Sequence, residues 1–462
     1  MPRVAVIGGG IAGLSAAARI RRARPDVEVV LLEGADRVGG KLRRVRVAGA
    51  WVDVGAEAML ARRPEGVGAV TEAGLAAELI SPLTTSALLR SRGTNHALPA
   101  RTLIGVPSDL AAVRASGVLS EASLARIGAE PGGGPYPPLT EDVSVGDLVG
   151  RRFGDEVVDR LVDPLLGGVY AGRARALSLR AAMPGLAARL ATGGSLLEAA
   201  AAAVGTPAPG PVFASLSGGL ARLAERLAAG GFEVRTSTPV RELSRGTSGF
   251  ELALGSVPSR QRLVADAVVV AVPAGKAAVL LSGLAPVAAA ELGSIETASL
   301  VIVTLAFAGL APGMLPPGSG ILVPAVEGLA VKAMTFSSQK WPGVGAESGV
   351  TLLRASLGRA GEPEALRRSD AELVAAVRRE LATITGLVAE PVDSHVQRWG
   401  GGLPQYAVGH PRRVARIRAD VARIPGLAVC GASYDGVGIP ACIGSAHIAA
   451  DRVLAGLPPS GQ

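Results

Sequence analysis

Arg3-Val4-Ala5-Val6-Ile7-Gly8-Gly9-Gly10-Ile11-Ala12-Gly13-Leu14-Ser15-Ala16-Ala17-Ala18-Arg19-Ile20 decides the reading of this chain. An apolar run up to Ile7 predicts a buried strand. The glycines predict a tight turn, and the alanine-rich stretch after them a helix. Val27-Glu28-Val29-Val30-Leu31-Leu32 then reads as a second strand ending at Glu33. The unit spans about 30 residues, the size of a βαβ motif. Gly8-x-Gly10-x-x-Gly13 is a weak pattern alone. Between a strand and a helix, with an acidic residue closing the next strand, it is the fingerprint of a dinucleotide site. Gly8 permits the turn, Gly10 lets a pyrophosphate approach bare backbone, and Gly13 lets helix and strand pack closely. The helix N-terminus offers unpaired N–H groups and a partial positive charge to the phosphates. Glu33 is expected to accept hydrogen bonds from ribose hydroxyls.

Outward from this unit, Arg37-Val38-Gly39-Gly40-Lys41 is a second glycine turn, and Arg43–Val47 with Trp51–Val54 reads as a hairpin. From about Ser86 strand signals fade. Helical stretches at Ser108–Ala115, Ser144–Arg152, Asp155–Leu166 and Ser195–Val204 alternate with Pro- and Gly-rich breaks. Short strands return after the Ser217-Gly218-Gly219 turn and its helix. Longer ones are expected at Thr297–Phe307, Val331–Phe336 and Val350–Leu357, with an amphipathic helix at Ser369–Thr385. Leu427–Cys430 reads as a last strand, followed by a glycine turn and a closing helix through Ala446–Leu454. The fold class is α/β combined with α+β. A Rossmann-like nucleotide-binding domain in three segments (1–85, 206–275, 424–462) carries an inserted helical domain (86–205) and a mixed-sheet substrate domain (276–423).

Composition narrows the function. The 462 residues contain 48% hydrophobic and 19% charged side chains, which fits a folded protein of two or three domains. Two cysteines and four histidines are too few for a zinc array, and no metal site is expected. Cys430 and Cys442 read as small buried residues of a reducing compartment. The net charge is +8, but the arginines are scattered and aromatics are only 3%, so nucleic-acid binding is not expected. Mean hydropathy is +0.38, mostly alanine. The longest apolar stretch, Ala298–Ala311, is shorter than a spanning helix needs, and the first residues lack the three regions of a signal peptide. A cytoplasmic protein without an integral membrane segment is expected, with contact at a membrane surface left open.

Two features favour FAD over NAD as the dinucleotide. One is the Gly39-Gly40 pair placed against the first turn. The other is Val429-Cys430-Gly431-Ala432 with Gly436-Val437-Gly438-Ile439-Pro440, which returns a strand, a glycine turn and a helix N-terminus to the sheet. A long extended dinucleotide needs such a second site. No second G-x-G-x-x-G unit offers a place for NAD(P)H, which points to oxygen or another direct electron acceptor.

These segments together resemble the FAD-dependent amine oxidase superfamily, and further stretches narrow the resemblance to the protoporphyrinogen/coproporphyrinogen oxidase family of haem biosynthesis. They are Gly55-Ala56-Glu57-Ala58-Met59-Leu60-Ala61-Arg62-Arg63, Leu165-Leu166-Gly167-Gly168-Val169-Tyr170-Ala171-Gly172, the run Lys332–Trp341, Arg398-Trp399, Pro404–His410 and Gly431-Ala432-Ser433-Tyr434. The resemblance implies non-covalent FAD held by Gly8, Gly9, Gly10, Ile11, Ala12, Gly13, Glu33, Gly34, Gly40, Lys41, Gly55, Ala56, Glu57, Ala58, Val240, Trp399, Gly431, Ala432, Val437, Gly438 and Ile439. Where the wider superfamily often has an acidic residue, this chain has Ala432, and it has Ser445-Ala446-His447 where Ser-Gly is common.

The implied chemistry is hydride loss from the methylene bridges of a porphyrinogen to flavin, with oxygen as acceptor and peroxide as by-product. The ring nitrogens stabilise the resulting cation, so no strong base is needed and no catalytic side chain is expected. The Ala-, Arg- and Gly-rich composition resembles that of actinobacterial proteins, which makes coproporphyrinogen III the expected substrate and protoporphyrinogen IX the alternative. The propionates need cations. Arg63 is the first candidate and Arg62 the second, against two solvated loop arginines. Gly168 offers a backbone carbonyl to pyrrole N–H groups, or is a plain turn glycine, and Trp399 packs either on the flavin or in the core. Product hand-off to a ferrochelatase fits the same pathway. Rivals are a flavin amine oxidase, disfavoured because Ser299–Phe307 carries no lysine, a carotenoid-type desaturase, and a flavoprotein that binds porphyrin without turnover.

Overall fold

The computed structural model describes residues 1–205, 210–255, 261–362 and 364–459; the segment boundary expected at 206 lies outside them. Five parallel strands form one sheet in the order Glu233–Arg235, Glu28–Leu32, Arg3–Ile7, Ala267–Val270 and Leu427–Val429. Their near-continuous Val, Ile and Leu runs are those of strands covered on both faces. Alternate residues serve opposite cores. Val4, Val6, Val29, Leu31 and Val269 face the helices Ile11–Ala23 and Ile439–Ala455. Ala5, Ile7, Val30, Leu32, Val268 and Val270 face the helices Ala274–Leu281, Pro286–Gly293 and His410–Ala422, together with the antiparallel sheet Val240–Gly246, Gly249–Leu254 and Gln261–Ala265. Small side chains on Ile11–Ala23 bring it close to Ile439–Ala455, so the two helix N-termini start side by side.

A second, seven-stranded sheet runs Asp393–Pro404, Thr297–Ala308, Val350–Leu357, Val331–Thr335, Gly320–Leu322, Leu88–Ser91, Thr94–Ala97. It is antiparallel except where Gly320–Leu322 meets Leu88–Ser91 in parallel. Helix Asp370–Thr385 covers its core face, and Ser369 and Glu372 form a capping box at the start of that helix.

The fading of strand signals from Ser86 does not hold locally. Residues 88–97 form a hairpin of this sheet, with Arg90 and Ser91 buried. Its polar residues show no two-residue alternation, and its pairing with Ile321–Leu322 supplies what the local pattern lacks. Beyond the hairpin the expected helical region is present. Short helices from Leu110–Ser116 to Leu196–Val204, several capped by Ser or Asp, enclose a core that includes Phe153, Leu161 and Tyr170. The strand Asp393–Pro404 and the helix His410–Ala422 had no counterpart in the sequence reading; Gly400-Gly401-Gly402 interrupts the alternation of the first.

Candidate active site

The turn after the first strand is built as its glycines require. Gly8 has φ +110°, and a Cβ on it would stand 2.6 Å from the Ala271 carbonyl oxygen. A Cβ on Gly13 would lie 1.9 Å from the Gly8 oxygen, whereas one on Gly10 would meet nothing within 4 Å. Two glycines are therefore demanded by packing, while the third leaves open space over the N-terminus of Ile11–Ala23. That helix has Gly10 as N-cap and no side-chain cap, so the Ile11, Ala12 and Gly13 amides have no intrahelical acceptor. Glu33 fastens the turn: Gly9 N–H donates to its Oε2 at 2.6 Å and Ala35 N–H to its Oε1 at 2.7 Å. Each oxygen keeps a second lone pair for another donor. Gly34 lies against Pro239, and the Thr238 amide donates to the Glu33 carbonyl, which brings the start of strand Val240–Gly246 to this edge.

The second glycine pair sits on the first. Gly39 N–H donates to the Gly9 carbonyl at 2.7 Å, and a Cβ on Gly40 would be 3.2 Å from the Gly10 Cα. Arg37 holds this loop by donating to the Val38 and Gly40 carbonyls. Lys41 then meets the next stretch. A Cβ on Gly55 would be 1.9 Å from the Lys41 oxygen and 3.2 Å from Trp399 Cζ2, the Ala56 amide donates to the Lys41 carbonyl, and Trp399 Nε1 donates to the Val54 carbonyl at 2.9 Å.

Next to Gly55 and Ala58, Glu57 is held, largely out of solvent, between two cations. Lys340 Nζ and Arg354 each donate to its carboxylate at 2.6 Å, and Arg354 also donates to the Gly55 carbonyl. Burial alone would push this carboxyl up, but the two cations outweigh it and hold it at about 2. Asp53, buried nearby, is pushed up to about 6 by burial, against the pull of the Leu220 N–H that it accepts.

The last segment closes the other side. A Cβ on Gly431 would touch the Ala12 methyl at 3.8 Å. Ser445 Oγ accepts from Gly431 N–H, so the serine of the Ser445-Ala446-His447 variant holds the glycine turn. Ala432 offers its carbonyl to the Tyr406 hydroxyl at 2.6 Å. Gly438 caps the 17-residue helix Ile439–Ala455 without a side-chain bond, and Val437 packs on the helical core. Cys430 and Cys442 are buried free thiols, and burial pushes both up.

The structure thus brings the nucleotide-turn residues, Gly40, Lys41, the Gly55–Ala58 stretch and Trp399 into one run of contacts, with Gly431–Ile439 beside them. The substrate candidates do not converge. Arg63 is half exposed and paired with Glu65 at 2.7 Å, Arg62 is exposed, and Gly168 lines a different cleft whose cations are Lys332 and Arg359. Sequence reading missed both of these as site residues; Lys332 was visible only as one member of the Lys332–Trp341 run. It also missed the ring stack of Tyr170, Tyr406 and His410, in which Tyr406 and His410 lie 3.9 Å apart. Burial holds His410 at about 4, neutral at physiological pH.

These residues fit an extended flavin dinucleotide. An open cradle lies over Gly10, two adjoining helix N-termini supply amide donors, and Gly40 and Gly55 let the neighbouring loops pack directly on Gly10 and Lys41. When bound, FAD supplies a two-electron acceptor.

Comparison with known proteins agrees with this geometry. Residues 11–454 match the family of flavin-containing amine oxidoreductases. The coproporphyrinogen III oxidase of Mycobacterium tuberculosis is 40% identical over 454 residues, covering 98% of this chain and 97% of that protein. The protoporphyrinogen oxidase of Macaca fascicularis is 32% identical, with 99% of each chain covered. A crystal structure of a protein from Exiguobacterium superposes with a TM-score of 0.84 at 31% identity, covering 97% of this chain and 98% of that one. A match that runs from the first helix of the nucleotide fold to the last helix of the chain makes this protein a member of the flavin-containing amine oxidoreductase family, in the branch of the coproporphyrinogen and protoporphyrinogen oxidases.

Proposed function

We propose that this protein is an FAD-dependent oxidase that converts coproporphyrinogen III to coproporphyrin III. The observation that carries the reading is the full-length relationship to coproporphyrinogen III oxidases, joined to a dinucleotide turn left open over Gly10. The substrate is electron-rich and close to spontaneous oxidation, so the demand on the protein is placement rather than acid–base power. Its residues meet that demand. Gly10 bares the backbone to the cofactor, and the Glu57–Lys340–Arg354 cluster stiffens the loop beside Gly55. The buried thiols have raised pKa values and remain protonated.

We assign the cofactor contacts to the residues gathered around the two helix N-termini and the substrate contacts to Arg62, Arg63 and Gly168. We also assign segments 1–85, 206–275 and 424–462 to the flavin domain and 276–423 to the substrate domain, with 86–205 as the helical domain except for the hairpin at 88–97, which pairs into the substrate-domain sheet. Oxygen is the proposed acceptor, supported by the single G-x-G-x-x-G unit. The proposed setting is the cytoplasm, at times against a membrane surface, with product passed to a ferrochelatase. No helix among the described residues is long and apolar enough to cross a membrane.

The test is porphyrin fluorescence from coproporphyrinogen III under air, in the dark, compared with enzyme-free autoxidation. Fast fluorescence together with flavin bleaching under anaerobic substrate supports the reading. Porphyrin binding without either signal removes it in favour of a carrier, and higher kcat/KM on protoporphyrinogen IX transfers the assignment to that substrate.

A further inference from the structure

Outside the dinucleotide cradle lies a small, partly open cleft between helix Asp163–Tyr170 and the strands Gly320–Leu322 and Val331–Thr335. Gly168 leaves the helix side bare: a Cβ there would meet nothing within 4 Å. The opposite side carries Lys332 and Arg359, and Asp163 closes the floor.

The charges around this cleft do not cancel. Asp163 accepts from the Ala174 amide at 2.6 Å and faces Arg173 at 3.6 Å. Glu362 pairs with Arg173 at 2.5 Å and reaches Arg359 only at 3.7 Å. Arg359 also donates to the Val323 carbonyl at 3.3 Å. The Lys332 ammonium makes no hydrogen bond or ion pair among the described residues. Three cations, Lys332, Arg359 and Arg173, thus share two carboxylates that lie nearest Arg173 and the helix end, and the Lys332 ammonium stands without an anion of its own against the cleft. An ammonium withdrawn from water without an anion is costly, and burial, with Arg359 adding to it and Glu362 opposing, lowers the Lys332 pKa to about 8. An incoming carboxylate would complete the set.

The cleft is also tied to the cofactor side. At the end of its helix the Tyr170 ring lies 5.5 Å from Tyr406, whose hydroxyl bonds the Ala432 carbonyl, and Gln405 donates to the Tyr170 carbonyl at 2.8 Å.

We infer that Lys332 and Arg359 form a carboxylate subsite that takes one propionate arm of the substrate past Gly168. The inference rests on the porphyrinogen reading above, and two measurements separate them. Turnover of coproporphyrinogen III by the wild-type holoenzyme tests the reading; Lys332→Gln tests the subsite. The expected result is a KM raised roughly ten- to a hundred-fold, with the loss falling on KM rather than kcat and with wild-type FAD content, since one charge-assisted hydrogen bond is removed. Lys332→Arg should recover most of the affinity. It should also abolish the rise in KM expected of wild type above about pH 8, where Lys332 loses its proton among Asp163, Arg173, Arg359 and Glu362. Fluorescence titration with coproporphyrin III should show the same loss in Lys332→Gln without turnover. Should Lys332→Gln fail to fold, Arg359→Gln and the Lys332→Arg pH profile carry the test. A wild-type KM in a folded, flavin-loaded Lys332→Gln, or a Lys332→Arg profile matching wild type, overturns the subsite.

Discussion

The Tyr406 hydroxyl donates to the Ala432 carbonyl at 2.6 Å, joining the ring stack of the helical region to the glycine turn of the nucleotide fold. Burial pushes the phenol far above its ordinary pKa, so it stays protonated and remains a donor. Residue 432 has no side chain able to tie itself down, and the bond does so from outside.

Tyr406→Phe leaves that buried carbonyl without its donor. Losing one such bond costs about 1–2 kcal/mol. The variant should fold, lose that much stability in urea unfolding, and release FAD faster than wild type on dilution. Unchanged release would show that the Gly431 turn is held sufficiently by Ser445.

Gly10 and Gly13 should fail in different ways. Gly10 has φ −72°, and a Cβ there finds open space, so Gly10→Val should fold with wild-type circular dichroism yet purify largely without FAD. At Gly13 the added carbon would be 1.9 Å from the Gly8 oxygen, so Gly13→Ala should destabilise the fold itself by about 2 kcal/mol or more, in the range of overpacked cores. Comparing flavin content with thermal unfolding distinguishes a blocked ligand from a strained scaffold. Full flavin in Gly10→Val would move the pyrophosphate elsewhere.

Asp53 and Glu57 give acid stability two windows of opposite sign. Glu57 is held at about 2, below its unfolded value, so the stability it contributes is complete above about pH 4.5 and is lost as the pH falls towards about 2. That contribution is on the order of 3 kcal/mol. Asp53 is raised to about 6, so its contribution is full below about pH 4 and is lost as the pH rises through about 6. Asp53→Asn should flatten the stability curve between about pH 4 and 6. Glu57→Gln should leave Lys340 and Arg354 without their anion, costing about 3–5 kcal/mol at neutral pH. Chemical denaturation across pH 3–8 reads both, and a pH-independent difference between Asp53→Asn and wild type would contradict the Asp53 window.

What the sequence made legible follows from where the information lies. The nucleotide turn is local: Gly8, Gly10, Gly13 and Glu33 fall within one βαβ unit, and the Gly39-Gly40 pair needed only a short return to reach it. The last strand and the helix N-terminus after Gly438 were legible for the same reason, and that helix runs from Ile439 through the Ala446–Leu454 stretch. The Lys332–Arg359 pair is not local. It arises because Val331 pairs with Leu357 in antiparallel register, which sets the two cations at neighbouring strand ends. Nothing in Val331-Lys332-Ala333 or in Gly358-Arg359 announces that register. The cations Lys340 and Arg354 that hold Glu57 were likewise invisible, since the short helix Ser337–Lys340 and the strand Val350–Leu357, both far from Glu57 in sequence, deliver them. The hairpin at residues 88–97 went unread because its polar positions are buried by neighbours distant in sequence.

Arg63 and Lys332 should differ in weight. Arg63 follows the Gly55–Ala58 stretch in sequence, but its guanidinium is half exposed and already occupied by Glu65 at 2.7 Å, and that pair lies near Gly444 on the last helix. An exposed, prepaired cation has little left to give a substrate carboxylate, because it must first surrender a partner worth about 0.2–1 kcal/mol. Arg63→Ala should therefore raise the KM for coproporphyrinogen III by no more than about three-fold. Glu65→Gln, which frees the guanidinium, should lower it by a similar factor. Protoporphyrinogen IX, with two propionates instead of four, should show smaller changes in both variants. Steady-state kinetics on the two substrates measure this. A ten-fold or larger loss in Arg63→Ala would mean that the guanidinium leaves Glu65 for the substrate, making the loop after Ala58 part of the binding surface.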